Sequence, residues 1–289
     1  MKILVSLFHT EEKTQKLWVF DHNLKPIKSF ATEFSNVKGI CVYKNNIYAG
    51  HKDQKDRCSI LVFSKDNYTF LKKIILPDVL DIHSIKIQVD QIYIVSSGSN
   101  RILVYDLNEL MKMNIIIKPK KIITTSLADT IKKDEIHLNS IFIGENQSIY
   151  ISGFGKRDKD NHWLGVKNGF IINIDSLKKE KFIVKELFHP HSVFVTSNNY
   201  WFCEAGTKKV YNNHSPIINT IGYARGLLVD EKETYLFVGT SVSKAYENRV
   251  IDIKTSGVHK YIKHQGCFEL GKSYFFKDRY AEIYDIIEL

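Results

Sequence analysis

The sequence has few cysteines and no long apolar run, and these two features limit the classes of protein to which it can belong. Its 289 residues include only four cysteines, which show neither a CxxC spacing nor a dense framework. This scarcity predicts reduced thiols rather than disulfides or a zinc-binding cysteine cluster. No apolar run approaches the ~18 residues of a membrane span, and the apolar stretch after Lys2 is shorter than the core of a signal peptide. We therefore expect a cytoplasmic protein without a membrane partner.

Acidic residues are fewer than basic ones, with 32 Asp and Glu against 41 Lys and Arg. A basic excess suits nucleic-acid binding when the charges cluster, but here the lysines are scattered through turns such as KKDE, LKKEK and GTKK. This scatter is typical of a solvated, lysine-rich surface, so we expect no nucleic-acid partner. The segment GFGK at 153–156 lacks the spacing of a phosphate-binding loop, and we expect no nucleotide cofactor.

Helix signals are also scarce. Short runs of Ile, Val, Tyr and Phe alternate with Asn, Asp, Lys and Gly, and aromatic residues make up 12% of the chain. Residues of the first kind favour strands, and those of the second kind favour the tight turns between them. The sequence thus predicts an all-β fold.

A repeat runs through the chain. Six segments align without gaps, and they are NVKGICV (36–42), DIHSIKI (81–87), HLNSIFI (137–143), HPHSVFV (189–195), YARGLLV (223–229) and EIYDIIE (282–288). Their second and fifth columns are wholly apolar, their fourth column is mostly small, and their first and third columns are polar or aromatic. Because side chains alternate between the two faces of a strand, columns one, three and five are expected on one face.

Further strands follow most of these segments, in units of four at a spacing of roughly 35 to 55 residues. Such units are typical of β-propeller blades, with the aligned segments as the innermost strands. We predict a six-bladed β-propeller that occupies residues 1–289 as a single domain. The N-terminal strands lack an inner strand and the C-terminal EIYDIIEL supplies one, so the two ends are expected to share a blade. Residues 244–280 contain one strand more than a blade needs, which leaves seven blades as the alternative.

Several spaced motifs add to this pattern, namely HLN, GFGKRD followed by HW, HPHS, CEAGT, GYARGL, FVGTS and the terminal EIYDI. In these motifs the chain resembles a bacterial β-propeller family, domain of unknown function 4915. The similarity extends from LVS near the start to the last strand and is weakest over residues 244–280. The resemblance implies the propeller fold and a shared polar centre, but no particular activity.

The polar columns predict where a site would form, because the inner strands of a propeller all begin at the same face. The first column would supply Asn36, Asp81, His137, His189, Tyr223 and Glu282, and the third Lys38, His83, Asn139, His191, Arg225 and Tyr284. From the loops, we expect His51, Lys156, Arg157, His162, Trp163 and Glu204 to lean over the opening. Burying so many ionisable groups is costly unless they are paired or ligated, so a ligand site is expected there.

Two chemical hypotheses fit this set. In the first, His137, His189 and His191 bind one divalent transition metal, such as Zn, Mn, Fe or Ni, with help from Glu282 or Asp81. In the second, no metal takes part, and His137 or His189 exchanges a proton while Glu282 or Asp81 orients its ring. Arg225 and Lys38 would then hold an anionic group of the substrate.

Both hypotheses predict a small-molecule enzyme of the isomerase, lyase or hydrolase type that acts on an anionic or sugar-like metabolite. The predicted catalytic residues are His137, His189, His191 and Glu282. The predicted substrate-binding residues are Lys38, Asp81, His83, Asn139, Glu204, Tyr223, Arg225 and Tyr284. The alternative is a non-catalytic propeller that binds a ligand or a protein, since this fold supports many functions. The density of ionisable groups favours the enzyme.

Overall fold

The structure is a computed structural model. It describes residues 1–8, 14–112, 117–130, 133–144, 146–157, 163, 165–175, 179–196, 199–242, 256–278 and 281–289. In chain order the strands are β1 (Lys2–Phe8), β2 (Leu17–Asp21), β3 (Pro26–Phe30), β4 (Val37–Tyr43), β5 (Asn46–Lys52), β6 (Cys58–Ser64), β7 (Phe70–Ile75), β8 (Ile82–Gln88), β9 (Gln91–Ser96), β10 (Arg101–Asp106), β11 (Lys121–Thr124), β12 (Leu138–Ile143), β13 (Ile149–Gly153), β14 (Gly169–Ile174), β15 (Glu180–Leu187), β16 (Pro190–Val195), β17 (Tyr200–Glu204), β18 (Lys209–Asn212), β19 (Ser215–Asn219), β20 (Tyr223–Val229), β21 (Tyr235–Ser241), β22 (Gly257–His264), β23 (Cys267–Phe275) and β24 (Glu282–Glu288). One α-helix, α1 (Leu107–Met111), and two 3-10 turns, Ser97–Ser99 and Ala205–Thr207, lie between them.

These strands form six sheets of four strands each, and the fold is a six-bladed β-propeller. The predicted all-β class and blade number are therefore confirmed. The alternative of seven blades is wrong for the described residues, because β22 and β23 are the third and fourth strands of the sheet that begins with β20 and β21. The extra predicted strand, RVIDIKT at 249–255, lies outside the described residues. In the described part of the chain, no helix is long and apolar enough to cross a membrane.

The chain divides into two compact units. The central unit is Lys38–Leu187, and the terminal unit is Met1–Val37 with Phe188–Leu289. The central unit carries the sheets β4-β5-β6-β7, β8-β9-β10-β11 and β12-β13-β14-β15. The terminal unit carries β16-β17-β18-β19, β20-β21-β22-β23 and β24-β1-β2-β3. The single domain predicted over residues 1–289 stays a prediction.

The two ends of the chain share a blade, as predicted. β24 pairs antiparallel with β1, with Ile3 opposite Glu288 and Leu4 opposite Ile287. The last strand of the sequence is thus the inner strand of the blade whose other three strands are the first of the sequence. This pairing covers the edge that β1 would otherwise expose.

The apolar columns of the repeat form the core. The second-column residues and the fifth-column residues are buried in every blade, for example Ile82 and Ile85 at 0% exposure in β8. In the central unit they pack with residues such as Val62 and Leu103, and in the terminal unit Leu227 packs in a second cluster. Burial of these side chains is the main stabilising contribution to each unit.

The small fourth column reflects close contact between neighbouring inner strands. A Cβ on Gly39 would lie 2.6 Å from the Cα of Ser84, the equivalent residue of the next blade. In the terminal unit the backbone N of Gly226 donates a hydrogen bond of 2.9 Å to Oγ of Ser192. A larger side chain in this column would therefore push two blades apart.

The inner strands are not regular, which the sequence did not reveal. The register with the second strand shifts between Ile82 and Ile85, between Leu138 and Ser140, and between Arg225 and Leu227. β16 and β24 have equivalent shifts. A β-bulge bends a strand and changes the direction of the side chains beside it. The bulges lie at or next to the third-column residues, whose side chains take part in the cluster of each unit described below.

The first column also departs from simple alternation. Asn36, Asp81, His137 and His189 lie one residue before their strands and have φ of 41°, 55°, 47° and 54°. Asn, Asp and His are the non-glycine residues that most often adopt this left-handed conformation, so the backbone partly explains why they occur here. That columns one, three and five share a strand face stays a prediction, and the contact of 3.1 Å between Asp81 and His83 brings side chains of columns one and three together.

Candidate functional site

The central unit gathers donors around one carboxylate, that of Asp81. Its Oδ1 accepts hydrogen bonds from Nζ of Lys38 at 2.7 Å and lies 3.3 Å from Nζ of Lys52. Its Oδ2 lies 3.1 Å from Nε2 of His83. Burial opposes ionisation of Asp81, but His83 and Lys38 outweigh it and hold the pKa of this carboxyl well below its usual range. Asp81 is therefore an anion at neutral pH that two ammonium groups share.

The two lysines differ in their access to solvent. The Lys38 side chain is 4% exposed, and burial lowers its pKa despite the attraction of Asp81. The Lys52 side chain is 25% exposed and also lies 3.0 Å from Asp56. Burial opposes its charge, yet Asp81 and Asp56 raise the pKa of Lys52. Of this pair, Lys52 is the ammonium group that a ligand reaches more easily.

The sequence pattern gives no role to Lys52 and predicts its neighbour His51 at the opening. In the structure His51 instead lies inside the blade. It is 2% exposed, and its Nδ1 lies 2.9 Å from Oγ of Ser59 in the adjacent strand. Burial lowers the pKa of His51 to about 4, so the ring is neutral at pH 7. Successive residues of a strand point to opposite faces, and the assignment was off by one position.

His83 connects the Asp81 group to His137. Its Nδ1 lies 3.2 Å from Oδ1 of Asn139, whose amide nitrogen donates to the backbone carbonyl of His137 at 3.3 Å. The rings of His83 and His137 meet edge to face, with centroids 4.8 Å apart. Burial and the Lys38 cation lower the pKa of His83 to about 4. The five predicted residues of the central unit therefore form one connected cluster.

His137 is held by a carboxylate that sequence analysis missed. Its Nδ1 lies 2.6 Å from Oδ2 of Asp134, and its backbone N donates to Oδ1 of the same residue at 3.0 Å. Burial opposes ionisation, but His137 lowers the pKa of Asp134. Within the described residues Nε2 of His137 has no hydrogen-bond partner. Asp134 belongs to the connector before β12, and its only sequence signal is its position three residues before His137.

Aromatic rings fix the orientation of His137. The rings of Phe154 and Trp163 lie 4.6 Å and 5.0 Å from it, measured between centroids. The guanidinium of Arg157 lies 4.7 Å from the Trp163 ring and 3.6 Å from Asp134. The loop after β13 thus contributes to the cluster through Arg157 and Trp163, as expected. His162 lies outside the described residues, and Lys156 instead pairs with Asp129.

The terminal unit holds a second cluster, centred on Arg225. Its Nη1 donates to Oε2 of Glu282 at 2.7 Å, and burial of the guanidinium is outweighed by Glu282, which raises the pKa of Arg225. The guanidinium carbon lies 5.0 Å from the Tyr223 ring and 5.8 Å from the Tyr284 ring. Nε2 of His191 lies 3.3 Å from the Tyr223 hydroxyl. These contacts suit recognition of a planar or anionic group.

His189 and Glu204 complete the set in the terminal unit. His189 is 2% exposed, and its ring lies 6.1 Å from Tyr223 and 4.5 Å from Phe188. One carboxylate oxygen of Glu204 accepts a hydrogen bond of 2.9 Å from the backbone N of Phe188, before β16, and the other accepts one of 2.5 Å from Oγ1 of Thr207, in the turn after β17. Glu204 therefore positions the chain before His189.

No group of three or more His, Cys, Asp or Glu side chains is arranged to hold a metal ion among the residues that the structure describes. Nδ1 of His137 already contacts Asp134, which leaves Nε2 as its available nitrogen. A divalent transition metal bound by His137, His189 and His191 stays a prediction, which elemental analysis of the purified protein tests.

Comparison with known sequences decides the family. The family model described as domain of unknown function (DUF4915) matches residues 2–288. The chain belongs to the DUF4915 family. The resemblance in the spaced motifs is therefore confirmed over nearly the whole sequence, including residues 244–280. No curated protein matches the DUF4915 chain significantly.

Solved structures share the fold of the DUF4915 chain. A chain in the crystal structure of a nidogen/laminin complex is 14% identical, with a TM-score of 0.68 and coverage of 99% of this chain and 97% of that one. A luciferin-regenerating enzyme is 13% identical, with a TM-score of 0.61 and coverage of 87% and 79%. A protein of Bacteroides uniformis ATCC 8492, named "putative 6-phosphogluconolactonase", is 11% identical, with a TM-score of 0.56 and coverage of 95% and 82%. At these identities the likeness shows the propeller architecture alone.

Proposed function

We propose that the DUF4915 chain is a small-molecule enzyme that uses His137 as a general base and acid on an anionic, sugar-like metabolite. The observation that carries the proposal is the contact of 2.6 Å between Nδ1 of His137 and Asp134. A carboxylate at one ring nitrogen selects the tautomer whose other nitrogen carries a lone pair. Nε2 of His137 is then the proton acceptor.

The surroundings of His137 fit this role. When Nε2 takes a proton from a bound water or a substrate carbon, the imidazolium is stabilised by the Asp134 anion. Phe154 and Trp163 prevent the ring from turning away, so the lone pair keeps its direction. The same proton can return to the leaving group, which lets one residue serve as base and acid.

The charge of the central unit supports an anionic substrate. Lys38 and Lys52 both contact the single carboxylate of Asp81, and the partly exposed Lys52 can turn from Asp56 to a ligand. An ammonium group attracts a carboxylate or a phosphate, and the partial burial of Lys52 strengthens that attraction. We assign Lys52 to anion binding and His83 with Asn139 to orientation of the substrate.

Hydrolysis of a sugar-derived ester is the first reaction to test. The name of the Bacteroides structural neighbour refers to the lactone of a phosphorylated sugar acid. Such a substrate combines the anionic group that Lys52 suits with an ester carbonyl that a water activated by His137 can attack. The terminal cluster of Arg225, Tyr223 and Glu282 is proposed as a further recognition element of the same enzyme.

A panel of sugar lactones, with and without a phosphate, tests the proposal through acid release in weakly buffered solution. We expect turnover of at least one phosphorylated lactone and a loss of about 100-fold or more in kcat for His137→Asn. His214→Asn is the matched control, because His214 is exposed and its ring contacts Tyr200, outside both clusters. Turnover that persists undiminished in His137→Asn would contradict the assignment of the base.

A second function has one observation in its favour, the similarity to a chain in the nidogen/laminin complex. In this alternative the propeller recognises a protein and catalyses nothing. A chain that turns over no member of the panel, and whose unfolding temperature no member raises, would favour this alternative.

A further inference from the structure

A cavity of about 310 Å³ lies beside β14 and β15, and its lining contains none of the side chains of the cluster around His137. Its walls include Leu127, Ile136, Lys156, Phe170, Phe182 and Lys185. The volume is at the lower end of the range for small-molecule sites. None of these residues belongs to the catalytic or anion-binding set proposed above.

The walls of the cavity are largely apolar. Ile136 and Phe170 are core residues with 1% and 3% exposure, whereas Phe182 of the outer strand is 38% exposed. The Phe182 and Phe170 rings meet edge to face at 6.4 Å, so the apolar wall continues from the core to the surface. Covering Phe182 with an apolar ligand would remove this exposed ring from water.

A cation stands at the mouth of the cavity. Nζ of Lys185 lies 4.0 Å from the centroid of the Phe182 ring. The other lysine of the wall, Lys156, is already paired with Asp129 and lies 3.6 Å from Glu135. Within the described residues Lys185 has no carboxylate partner in an ion pair, so its charge is available to a ligand.

We infer that this cavity binds a small amphiphilic carboxylate, with the apolar chain between Phe170 and Phe182 and the carboxylate at Lys185. The apolar wall recognises the chain, and the ammonium recognises the charged end. Glu186 also lines the cavity and is the group that would favour a cation instead. Whether the cavity prefers an anionic or a cationic ligand is therefore the property that tests the inference.

Isothermal titration with octanoate, octanol and octylammonium tests the inference on the intact chain. Octanoate is expected to bind saturably and more tightly than octanol, with octylammonium weakest. Lys185→Glu should weaken octanoate about fivefold, the effect of a partly exposed ion pair, and leave octanol unchanged. Phe182→Ala should weaken both about tenfold through lost apolar contact.

The controls come from an equivalent outer strand, β7. Phe70 is 43% exposed and lies edge to face with Phe63, and Lys73 lies in the same strand. Phe70→Ala and Lys73→Glu should leave all three affinities unchanged. Octylammonium binding as tightly as octanoate, an unchanged affinity in Lys185→Glu, or no saturable binding of octanoate would each overturn the inference.

Discussion

The imidazole of His137 and the carboxylate of Asp134 lie 2.6 Å apart, although the two residues belong to a strand entrance and to the connector before it. The backbone N of His137 donates to the same carboxylate, which fixes the pair in one arrangement. In this arrangement Nδ1 of His137 is occupied by the contact with Asp134, and Nε2 is the nitrogen that can exchange a proton. This contact makes His137, one of the polar first-column residues of the repeat, a candidate proton-transfer group.

Replacing the carboxylate tests this relationship. Asp134→Asn should lower kcat on the order of 100-fold, because an amide neither stabilises the imidazolium nor selects the required tautomer. KM should change little, since Asp134 does not contact the substrate in this mechanism. Asp129→Asn is the control, because Asp129 is exposed and its carboxylate pairs with Lys156 rather than with His137. Equal kcat values in the two variants would contradict the role of Asp134.

Lys52 should affect binding more than turnover. Lys52→Met removes the exposed ammonium group and should raise KM for an anionic substrate about tenfold, with a smaller effect on kcat. The uncharged analogue of that substrate should show no such change. Lys55→Met, at an exposed position in the loop that follows β5, serves as the comparison. A KM that responds equally to both variants would show that Lys52 acts only through overall charge.

Buried histidines should make the stability depend on pH. Burial lowers the pKa of His259 to about 4, and the ring lies 2.8 Å from Thr240 and from Ser273. Between pH 6.5 and 4 the unfolded chain binds a proton at this site that the folded chain does not. The free energy of unfolding therefore falls as the pH drops, by about 2 kcal/mol per such histidine between pH 7 and 5.

Urea unfolding at pH 7 and 5 measures this dependence. His259→Asn should reduce the difference between the two pH values, whereas the exposed His214→Asn should leave it as in the unmodified chain. The same reasoning applies to His51, which is buried and has a pKa lowered to about 4. Identical pH dependence in His259→Asn and the unmodified chain would show that this imidazole does not take part.

Adding a Cβ where two inner strands meet should destabilise the protein. Gly39→Ala places a Cβ 2.6 Å from the Cα of Ser84, and backbone on both sides must move. We expect a loss of about 1 to 3 kcal/mol in the free energy of unfolding. Gly165→Ala, where an added Cβ meets nothing within 4 Å, is the control. Comparable stability of the two variants in urea unfolding would contradict the close approach of the strands.

Much of the fold could be predicted because it depends on a repeated pattern of side chains. Apolar residues such as Ile82 and Ile85 recur in two columns that the core requires, and Gly39 belongs to the small column that strand contact requires. The shared blade followed from β24 lacking further strands. These features recur at regular intervals along the sequence, and such a repeat can be recognised in a single sequence.

The site was less predictable because it depends on departures from that period. The bulge in β8 and the left-handed backbone of Asp81 change side-chain directions without a signal of their own. The prediction was off by one residue in β5, and it therefore assigned His51 to the opening in place of Lys52. Asp134 lies in a connector, where no repeat marks its role. Most residues of each cluster follow from the repeat in the sequence, while their contacts required the structure.

Nitrogen-15 spectra of the histidine side chains, recorded while 6-phosphogluconate is added, test the role of His137 most directly. The His137 signals are assigned by their loss in His137→Asn. The account predicts that the Nε2 signal of His137 shifts on saturation, while the signals of the exposed His214 do not. A His137 signal that stays unchanged when the ligand saturates the protein would contradict the claim that this nitrogen faces the substrate.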